Sequence, residues 1–280
     1  MNLIQAILMG IVQGLSEFLP ISSSAHLVFT SNFYKVAANV PIQGHTSQEI
    51  FFDIMVHLGT LVAVIIFFRK DLYRIIKAFC HALSSRNWSD KEAQLGLYII
   101  LGTIITAIVA VPLNNFVEYL VYKPELVGAF LIITGIILFF SEHMSKHTED
   151  KKDSVDFKTS VIIGLAQGLA AIPGFSRSGW TIAAGLFSGL NRINAARYSF
   201  LLSIPIILGA SMVYPLVEID FQEAAAYNWK AIISGTLVSG VVGYLCIKYF
   251  MKFLSKFSMD AFAWYCLIMG LFTMIFFTIN

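Results

Sequence analysis

Long apolar stretches dominate the chain and are separated by short polar connections. Six of these stretches are nearly free of charge in their middle. A bilayer core about 30 Å thick requires roughly 20 residues of helix to cross it. We therefore predict six transmembrane helices, at approximately 51–68, 95–112, 125–141, 198–215, 229–249 and 261–279.

Two further apolar stretches, 3–31 and 159–190, are broken near their centres by Pro, Gly and Ser. They also resemble each other. An offset of 154 residues places Gly10, Gln13, Gly14, Leu15, Ser22 and Ser24 on Gly164, Gln167, Gly168, Leu169, Ser176 and Ser178. Shared Gln, Gly and Ser residues coincide by chance less readily than apolar ones, so this pattern indicates an internal duplication.

Charges in the connections predict the topology. Basic residues concentrate after 68, after 141 and within 248–256, whereas 216–228 has acidic but no basic residues. Because Lys and Arg mark cytoplasmic loops, the stretch 159–190 lies between two cytoplasmic connections and must enter and leave on one side. A broken, re-entrant hairpin satisfies this requirement, since non-helical backbone is tolerated where protein or water surrounds it.

The predicted fold is an all-α integral membrane protein with six transmembrane helices and two re-entrant broken-helix hairpins, arranged as an inverted-topology repeat. The first repeat, 1–150, contains the hairpin 3–31, three transmembrane helices and an interfacial amphipathic helix at 71–84. The second repeat, 151–280, contains the hairpin 159–190 and three more. Both form one membrane domain, with its site expected where the broken hairpins meet.

Composition supports a membrane protein and excludes other classes. Charged residues make up 13% of the chain and hydrophobic residues 57%, whereas a soluble domain carries roughly 25% charge. The net charge of +2 is spread over short loops, so we expect no nucleic-acid partner. Cys80, Cys246 and Cys266 lie far apart in apolar surroundings and are assigned no role. No basic region precedes the apolar N-terminus, so residues 1–30 are expected in the mature protein.

One face of the first hairpin carries an ionisable side chain. Gly10, Gln13, Gly14 and Glu17 recur at three- and four-residue spacing and therefore share a helix face. The glycines on this face indicate close helix packing. A carboxylate inside a membrane segment usually faces a cavity or a partner, which makes Glu17 a candidate catalytic residue. His26, just beyond the serine-rich break, is a candidate for acid–base chemistry beside it.

The second hairpin offers different chemistry, with Ala171 at the position of Glu17 and Arg177 at that of Ser23. The planar fork of arginine matches a phosphate group bidentately. Hydroxyl and backbone donors flank it where the next helix begins, and a helix N-terminus favours an anion. We predict a phosphate-binding site formed by Arg177, Ser176, Ser178, Gly179 and Thr181. The alternative is that Arg177 only pairs with Glu17 and neutralises the hairpins.

Two segments, GIVQGLSEFLPISSSAH at 10–26 and PGFSRSGWT at 173–181, resemble the signatures of a known family. These signatures are (E/Q)xxxE and PGxSRSxxT, and the family is the bacitracin-resistance type of undecaprenyl pyrophosphate phosphatase. Length and layout are similar along the whole chain. The matching residues are Gln13, Glu17, Ser23, His26, Pro173, Gly174, Ser176, Arg177, Ser178 and Thr181. Because many members have Glu where this chain has Gln13, any role of a carboxylate at that position is absent or different here.

The resemblance implies hydrolysis of undecaprenyl pyrophosphate to undecaprenyl phosphate and inorganic phosphate. This reaction recycles the lipid carrier of peptidoglycan synthesis and confers bacitracin resistance. It implies a bacterial inner-membrane enzyme with a site open to the extracytoplasmic side, and a divalent cation, Mg²⁺ or Ca²⁺. Glu17, together with the substrate diphosphate, is the candidate ligand of this ion. A homodimer is compatible with the pattern.

The sequence leaves the attacking group open. Ser23 or His26 attacks the terminal phosphorus, or a water activated by Glu17 or His26 does so. We favour Ser23 as the catalytic nucleophile with His26 as its base, and Arg177 offsetting charge on the transferred group. Supporting roles are expected for Gln13, Ser22, Ser24, Pro173 and Gly174.

Two further interpretations concern a residue pair on a spanning helix and a rival class of function. Asp53 and His57 lie four residues apart at the start of a spanning helix. One interpretation places them on the same cavity as the site, and the one that we favour is an interfacial position at the mouth of the helix. The rival class of function is a transporter or flippase for a phosphorylated lipid, because inverted repeats with broken helices are also a transporter design.

Overall fold

The structure is a computed structural model that describes residues 1–37, 46–121, 123–146, 151–218 and 226–279. Throughout these ranges the secondary structure is helical and no residue belongs to a β-strand, which confirms the predicted all-α class. The helices are α1 (Leu3–Ser16), α2 (Ser23–Ala37), α3 (Ser47–Phe67), α4 (Arg69–Ser85), α5 (Lys91–Ala110), a short 3₁₀ helix (Val111–Leu113), α6 (Asn114–Val121), α7 (Pro124–Lys146), α8 (Phe157–Leu169), α9 (Arg177–Phe187), α10 (Arg192–Glu218), α11 (Trp229–Leu254) and α12 (Asp260–Ile279).

Six helical segments in the described part of the chain are long and apolar enough to cross a membrane. They are α3, the continuous segment Lys91–Leu120, α7, Arg192–Val213 of α10, α11 and α12. All six coincide with predicted spans, so the chain is a multi-pass membrane protein. The helix predicted at 71–84 is also present, as α4. Most of the acidic connection 216–228 lies outside the described residues.

Each of the two broken stretches forms two short helices joined by non-helical backbone. The first break separates α1 from α2 and contains Pro20, and the second separates α8 from α9 and contains Pro173. Proline lacks the N–H that a helix interior needs. Ser22 and Gly174 turn the chain at φ values of 70° and 99°, and the second of these favours glycine. The predicted helix breaks are therefore present, while their re-entrant path and the inverted orientation of the repeats stay predictions.

Small residues let the two broken stretches pack closely on spanning helices. A Cβ atom on Gly14 of α1 would lie 2.8 Å from the carbonyl oxygen of Ser239 in α11. On the equivalent Gly168 of α8, it would lie 3.1 Å from the carbonyl oxygen of Thr106 in α5. Close approach of small residues is the usual basis of helix association in membranes. Gly14 and Gly168 thus each lie close to the backbone of a spanning helix, while the duplication itself stays a prediction.

A buried ion pair joins three helices at a distance from the broken stretches. The carboxylate of Glu142 in α7 is fully buried and accepts hydrogen bonds from Arg192 of α10, from Nε at 2.8 Å and from Nη2 at 2.6 Å. The backbone N–H of Met259, just before α12, donates to the same carboxylate at 3.1 Å. Because both charges are paired and hydrogen-bonded, this cluster has a structural role.

The contact between α7 and α12 yields a test of packing. A Cβ atom on Gly128 would lie 2.8 Å from both the carbonyl oxygen of Gly270 and the hydroxyl of Thr273. We expect Gly128→Ala to reduce stability by about 1–3 kcal/mol, as overpacking usually does. Thermal unfolding of the purified protein in detergent measures the loss. Gly209→Ala is the matched control, since its Cβ would have no neighbour within 4 Å, and an equal loss in both variants would contradict a close contact at Gly128.

Candidate active site

The two breaks meet at the carboxylate of Glu17, which lies at the C-terminal end of α1 and is buried. Its Oε1 atom accepts a hydrogen bond from Nη2 of Arg177, in the second break. Its Oε2 atom accepts from Nε2 of Gln13 at 2.9 Å and from Oγ of Ser23 at 2.6 Å. One carboxylate thus gathers donors from both halves of the chain.

Two helix N-termini converge on this carboxylate. Ser23 is the first residue of α2, and Arg177 is the first residue of α9. The N-terminal end of a helix carries partial positive charge from its unpaired N–H groups. The surroundings of Glu17 therefore favour a negative group.

Glu17 satisfies only some of the hydrogen-bond donors of Arg177. Nη2 pairs with Glu17, but Nη1 is buried and has no hydrogen-bond partner in the described part of the chain. A guanidinium stays protonated and can only donate hydrogen bonds. Its buried, unpaired nitrogen therefore still requires a hydrogen-bond acceptor. The pairing with Glu17 considered from the sequence is present, yet it satisfies only part of the guanidinium.

The hydroxyl groups predicted to bind phosphate form hydrogen bonds that stabilise the conformation of the second break. Oγ of Ser176 accepts a hydrogen bond from the N–H of Gly179 at 3.1 Å and caps α9. The hydroxyl of Ser178 donates to the carbonyl oxygen of Leu19, in the first break, at 2.8 Å. The hydroxyl of Thr181 is buried and hydrogen-bonded within the protein. Ser178 and Thr181 would have to give up these donated bonds to donate to a phosphate, whereas Ser176 accepts in its bond and keeps its own O–H.

The serines of the first break have matching roles. The hydroxyl of Ser22 donates to the carbonyl oxygen of Phe175, in the second break, at 3.5 Å and lies 3.2 Å from Oγ of Ser24. The equivalent pair in the second half, Ser176 and Ser178, has its Oγ atoms 3.3 Å apart. Each break is thus bonded to the other by one serine hydroxyl, which fits the supporting roles expected for this group.

Thr134 of α7 supports the second break, and sequence reasoning missed it. Its hydroxyl donates to the carbonyl oxygen of Gly174 at 3.1 Å and accepts from the N–H of Ser176 at 3.2 Å. The indole N–H of Trp180 donates to the hydroxyl oxygen of Thr134 at 3.2 Å. A single threonine in an apolar helix gives no signal in the sequence that would identify this role.

His26 is held at both ring nitrogens. Nδ1 lies 2.7 Å from the carbonyl oxygen of Ser22, and Nε2 lies 2.7 Å from the hydroxyl of Tyr265 in α12. The histidine ring folds back by one helical turn onto Ser22, while the side chain of Ser23 faces Glu17. The structure therefore does not bring His26 into hydrogen-bond contact with Ser23, as the base predicted for that serine would require.

His57 of α3 lies beside Glu17, which favours the alternative that it faces the cavity of the site over the interfacial position. Its Nδ1 atom lies 2.7 Å from the carbonyl oxygen of Asp53, and its Nε2 atom lies 3.7 Å from Oε2 of Glu17. Its side chain is 31% exposed, against 5% for Glu17. His57 is thus the more exposed member of this contact. The four-residue spacing of Asp53 and His57 was the signal in the sequence.

The described residues do not fit a resident divalent ion. Across the described ranges, no group of three or more His, Cys, Asp or Glu residues is placed to hold a metal. The carboxylate of Glu17 already accepts from Arg177, Gln13 and Ser23. An ion would need most of its oxygen ligands from another molecule.

Removing one member of the central ion pair should destabilise the protein. Arg177→Met leaves Glu17 buried without its cation, and loss of one partner of a buried pair costs roughly 3–5 kcal/mol. We expect Glu17→Gln to recover part of that loss in the double variant, because it removes the unpaired charge. Thermal unfolding of both single variants and the double variant measures the coupling. Fully additive losses would contradict a direct ion pair.

Comparisons with known proteins show the family of this chain. Residues 6–272 match the family described as bacitracin resistance protein BacA. An undecaprenyl-diphosphatase of Methanobrevibacter smithii is 42% identical, covering 97% of this chain and 96% of the relative. Undecaprenyl-diphosphatase 1 of Pseudoalteromonas translucida is 37% identical over 100% of both chains, and the undecaprenyl-diphosphatase of Teredinibacter turnerae is 38% identical over 96% of this chain and 97% of the relative. The chain therefore belongs to the BacA family of membrane proteins.

Proposed function

We propose that this protein is an undecaprenyl-diphosphatase, which hydrolyses undecaprenyl pyrophosphate to undecaprenyl phosphate and inorganic phosphate. Family membership supports the substrate and the reaction. The structural observation that carries the proposal is the carboxylate of Glu17, which holds the hydroxyl of Ser23 on one oxygen and Arg177 on the other. A nucleophile, a base and an anion-binding group thus lie together where two helices begin.

Binding of the diphosphate exchanges one anion for another beside Arg177. Without substrate, the guanidinium is neutralised by Glu17 and has one nitrogen unpaired. A terminal phosphate group offers several acceptor oxygens, and arginine binds such oxygens bidentately. The N-termini of α2 and α9 add favourable charge. Binding therefore frees Glu17 from its cation and makes the carboxylate a stronger base.

Ser23 attacks the terminal phosphorus while Glu17 accepts its proton. The Oγ atom of Ser23 lies 2.6 Å from Oε2 of Glu17, which is within the reach of a general base. As the Oγ–P bond forms, the bond to the bridging oxygen breaks, and undecaprenyl phosphate leaves with that oxygen. Glu17 passes this proton to the departing lipid phosphate and is again a base. Water then attacks the phosphoserine and gives a proton to Glu17. As inorganic phosphate departs, Glu17 returns that proton to Ser23. Arg177 stabilises the charge of the transferred group in both steps.

The proposal also includes a divalent cation and a cellular location for the reaction. Oxygens of the diphosphate would supply most of the ligands of Mg²⁺ or Ca²⁺, and such an ion would offset negative charge on the substrate. The protein acts in the bacterial inner membrane, with the site open to the extracytoplasmic side. Recycling of the lipid carrier there supports peptidoglycan synthesis and bacitracin resistance.

Phosphate release by the purified protein in detergent tests the function. We expect release from a C55 or shorter prenyl diphosphate with Mg²⁺ and loss of release with EDTA. Arg177→Lys should lower kcat at least about 10-fold, because lysine keeps the charge but loses the bidentate fork. Arg74→Lys is the matched control, since Arg74 is exposed on α4 and pairs with Asp71.

Activity in detergent also distinguishes a phosphatase from a transporter, because a solubilised protein has no membrane across which a lipid could be moved. Absence of release from well-folded protein would reject the phosphatase and favour the transporter. Equal rates in Arg177→Lys and Arg74→Lys would reject the role of Arg177.

Ser23 as the nucleophile predicts a phosphorylated enzyme. Acid quenching of the reaction with a substrate that is ³²P-labelled on its terminal phosphate should trap label on the wild-type protein and none on Ser23→Ala. Ser24→Ala is the matched control, since its hydroxyl lies near Ser22 and has no hydrogen bond to Glu17. Label that persists in Ser23→Ala would exclude Ser23, and turnover without any trapped label would reject a phosphoserine intermediate.

A further inference from the structure

The imidazole of His26 has no ring nitrogen left for a substrate. Nδ1 and Nε2 each have a partner at 2.7 Å, the carbonyl oxygen of Ser22 and the hydroxyl of Tyr265. The rings of His26 and Tyr265 are nearly parallel, with 12° between their planes. Two hydrogen bonds on opposite sides of a ring fix its orientation. In this geometry, a proton that His26 gives or receives passes through one of these partners.

The chemistry of the two partners shows which one can transmit a proton. A carbonyl oxygen only accepts, so Nδ1 carries a hydrogen in either state of the ring. In the neutral ring Nε2 accepts from the hydroxyl of Tyr265. In the charged ring Nε2 donates to that hydroxyl, whose own hydrogen is then free for a third group. Only Tyr265 connects His26 to another acceptor.

Tyr265 also lies beside the break that carries the nucleophile. The thiol of the next residue, Cys266, donates to the carbonyl oxygen of Pro20 at 3.4 Å, so α12 packs on the first break. The side chain of Tyr265 is 40% exposed, whereas Cys266 is fully buried. The phenol therefore lies at the surface of the described structure, bonded to His26, rather than enclosed in the core.

We propose that Tyr265 is the residue through which His26 acts on the diphosphate. Its hydroxyl donates to a phosphate oxygen of the bound lipid while it accepts a hydrogen bond from the His26 imidazolium. The positive charge of His26 thereby strengthens the donor, as it does in any charge-assisted chain of hydrogen bonds. This inference rests on the proposed function. The site then contains two functional pairs. Glu17 and Ser23 carry out the attack on phosphorus, and His26 and Tyr265 stabilise the negative charge of the phosphate.

A double-mutant cycle on purified protein tests the chain from His26 to Tyr265. Tyr265→Phe removes one oxygen atom and keeps the ring, and His26→Gln removes the imidazole. Because the two act in series, we expect each to lower kcat for phosphate release from a prenyl diphosphate about 10-fold or more. The double variant should be within about two-fold of the slower single variant. Tyr249→Phe, exposed on α11, is the matched control and should keep the wild-type kcat.

Tyr265→Phe should keep the wild-type thermal unfolding midpoint, so that its loss of kcat is not a loss of fold. Wild-type kcat in Tyr265→Phe, or losses that multiply in the double variant, would overturn the inference while the wild-type protein still releases phosphate. If His26→Gln fails to fold, Tyr265→Phe decides alone, since retained kcat rejects the inference and a folded variant with reduced kcat supports it. Absence of release by the wild-type protein would reject the proposed function and the inference with it.

Discussion

The ion pair of Glu17 with Arg177 is the contact on which the organisation of the site depends. It joins residues 160 positions apart in the chain, one from each break, inside a protein of mainly apolar helices. An isolated charge in such surroundings is strongly unfavourable, so each member requires the other. The prolines that interrupt the two stretches, and the serines that bond across them, serve to place these two side chains against each other.

Pairing two charges in this way also prepares the site for a charged lipid. Glu17 occupies the position of an anion beside Arg177 and beside the starts of α2 and α9. A phosphate group that displaces it meets donors that are already oriented and already removed from bulk water. Pre-oriented donors need little rearrangement as charge develops, which is the main source of catalysis in phosphoryl transfer. Gln13 donates to Glu17 without adding a second negative charge, so the pair is neutral before substrate binds.

The spanning helices could be predicted from the sequence because lipid requires long uninterrupted apolar segments. Their bounds could be predicted less well. For example, α3 begins at Ser47 rather than at 51, since Thr46 and Glu49 form a capping box that adds a polar first turn. The duplication predicted a site where the two broken stretches meet, and Glu17 contacts Arg177 there, although this pairing was only the alternative to a phosphate-binding role for Arg177. The partner of His26 could not be predicted in this way, because Tyr265 lies 239 residues further along the chain, on an apolar helix where a tyrosine gives no signal.

The hydrogen bonds that cross between the breaks also limit how the halves can move. Ser178 bonds to the backbone of the first break, and Ser22 bonds to that of the second. If the halves rocked apart, both bonds would break, and Arg177 would withdraw from Glu17 and Ser23. A conformation with separated halves would therefore lack a complete catalytic centre. Hydrolysis and any large rocking motion would have to occur at different times, in different conformations of the same molecule.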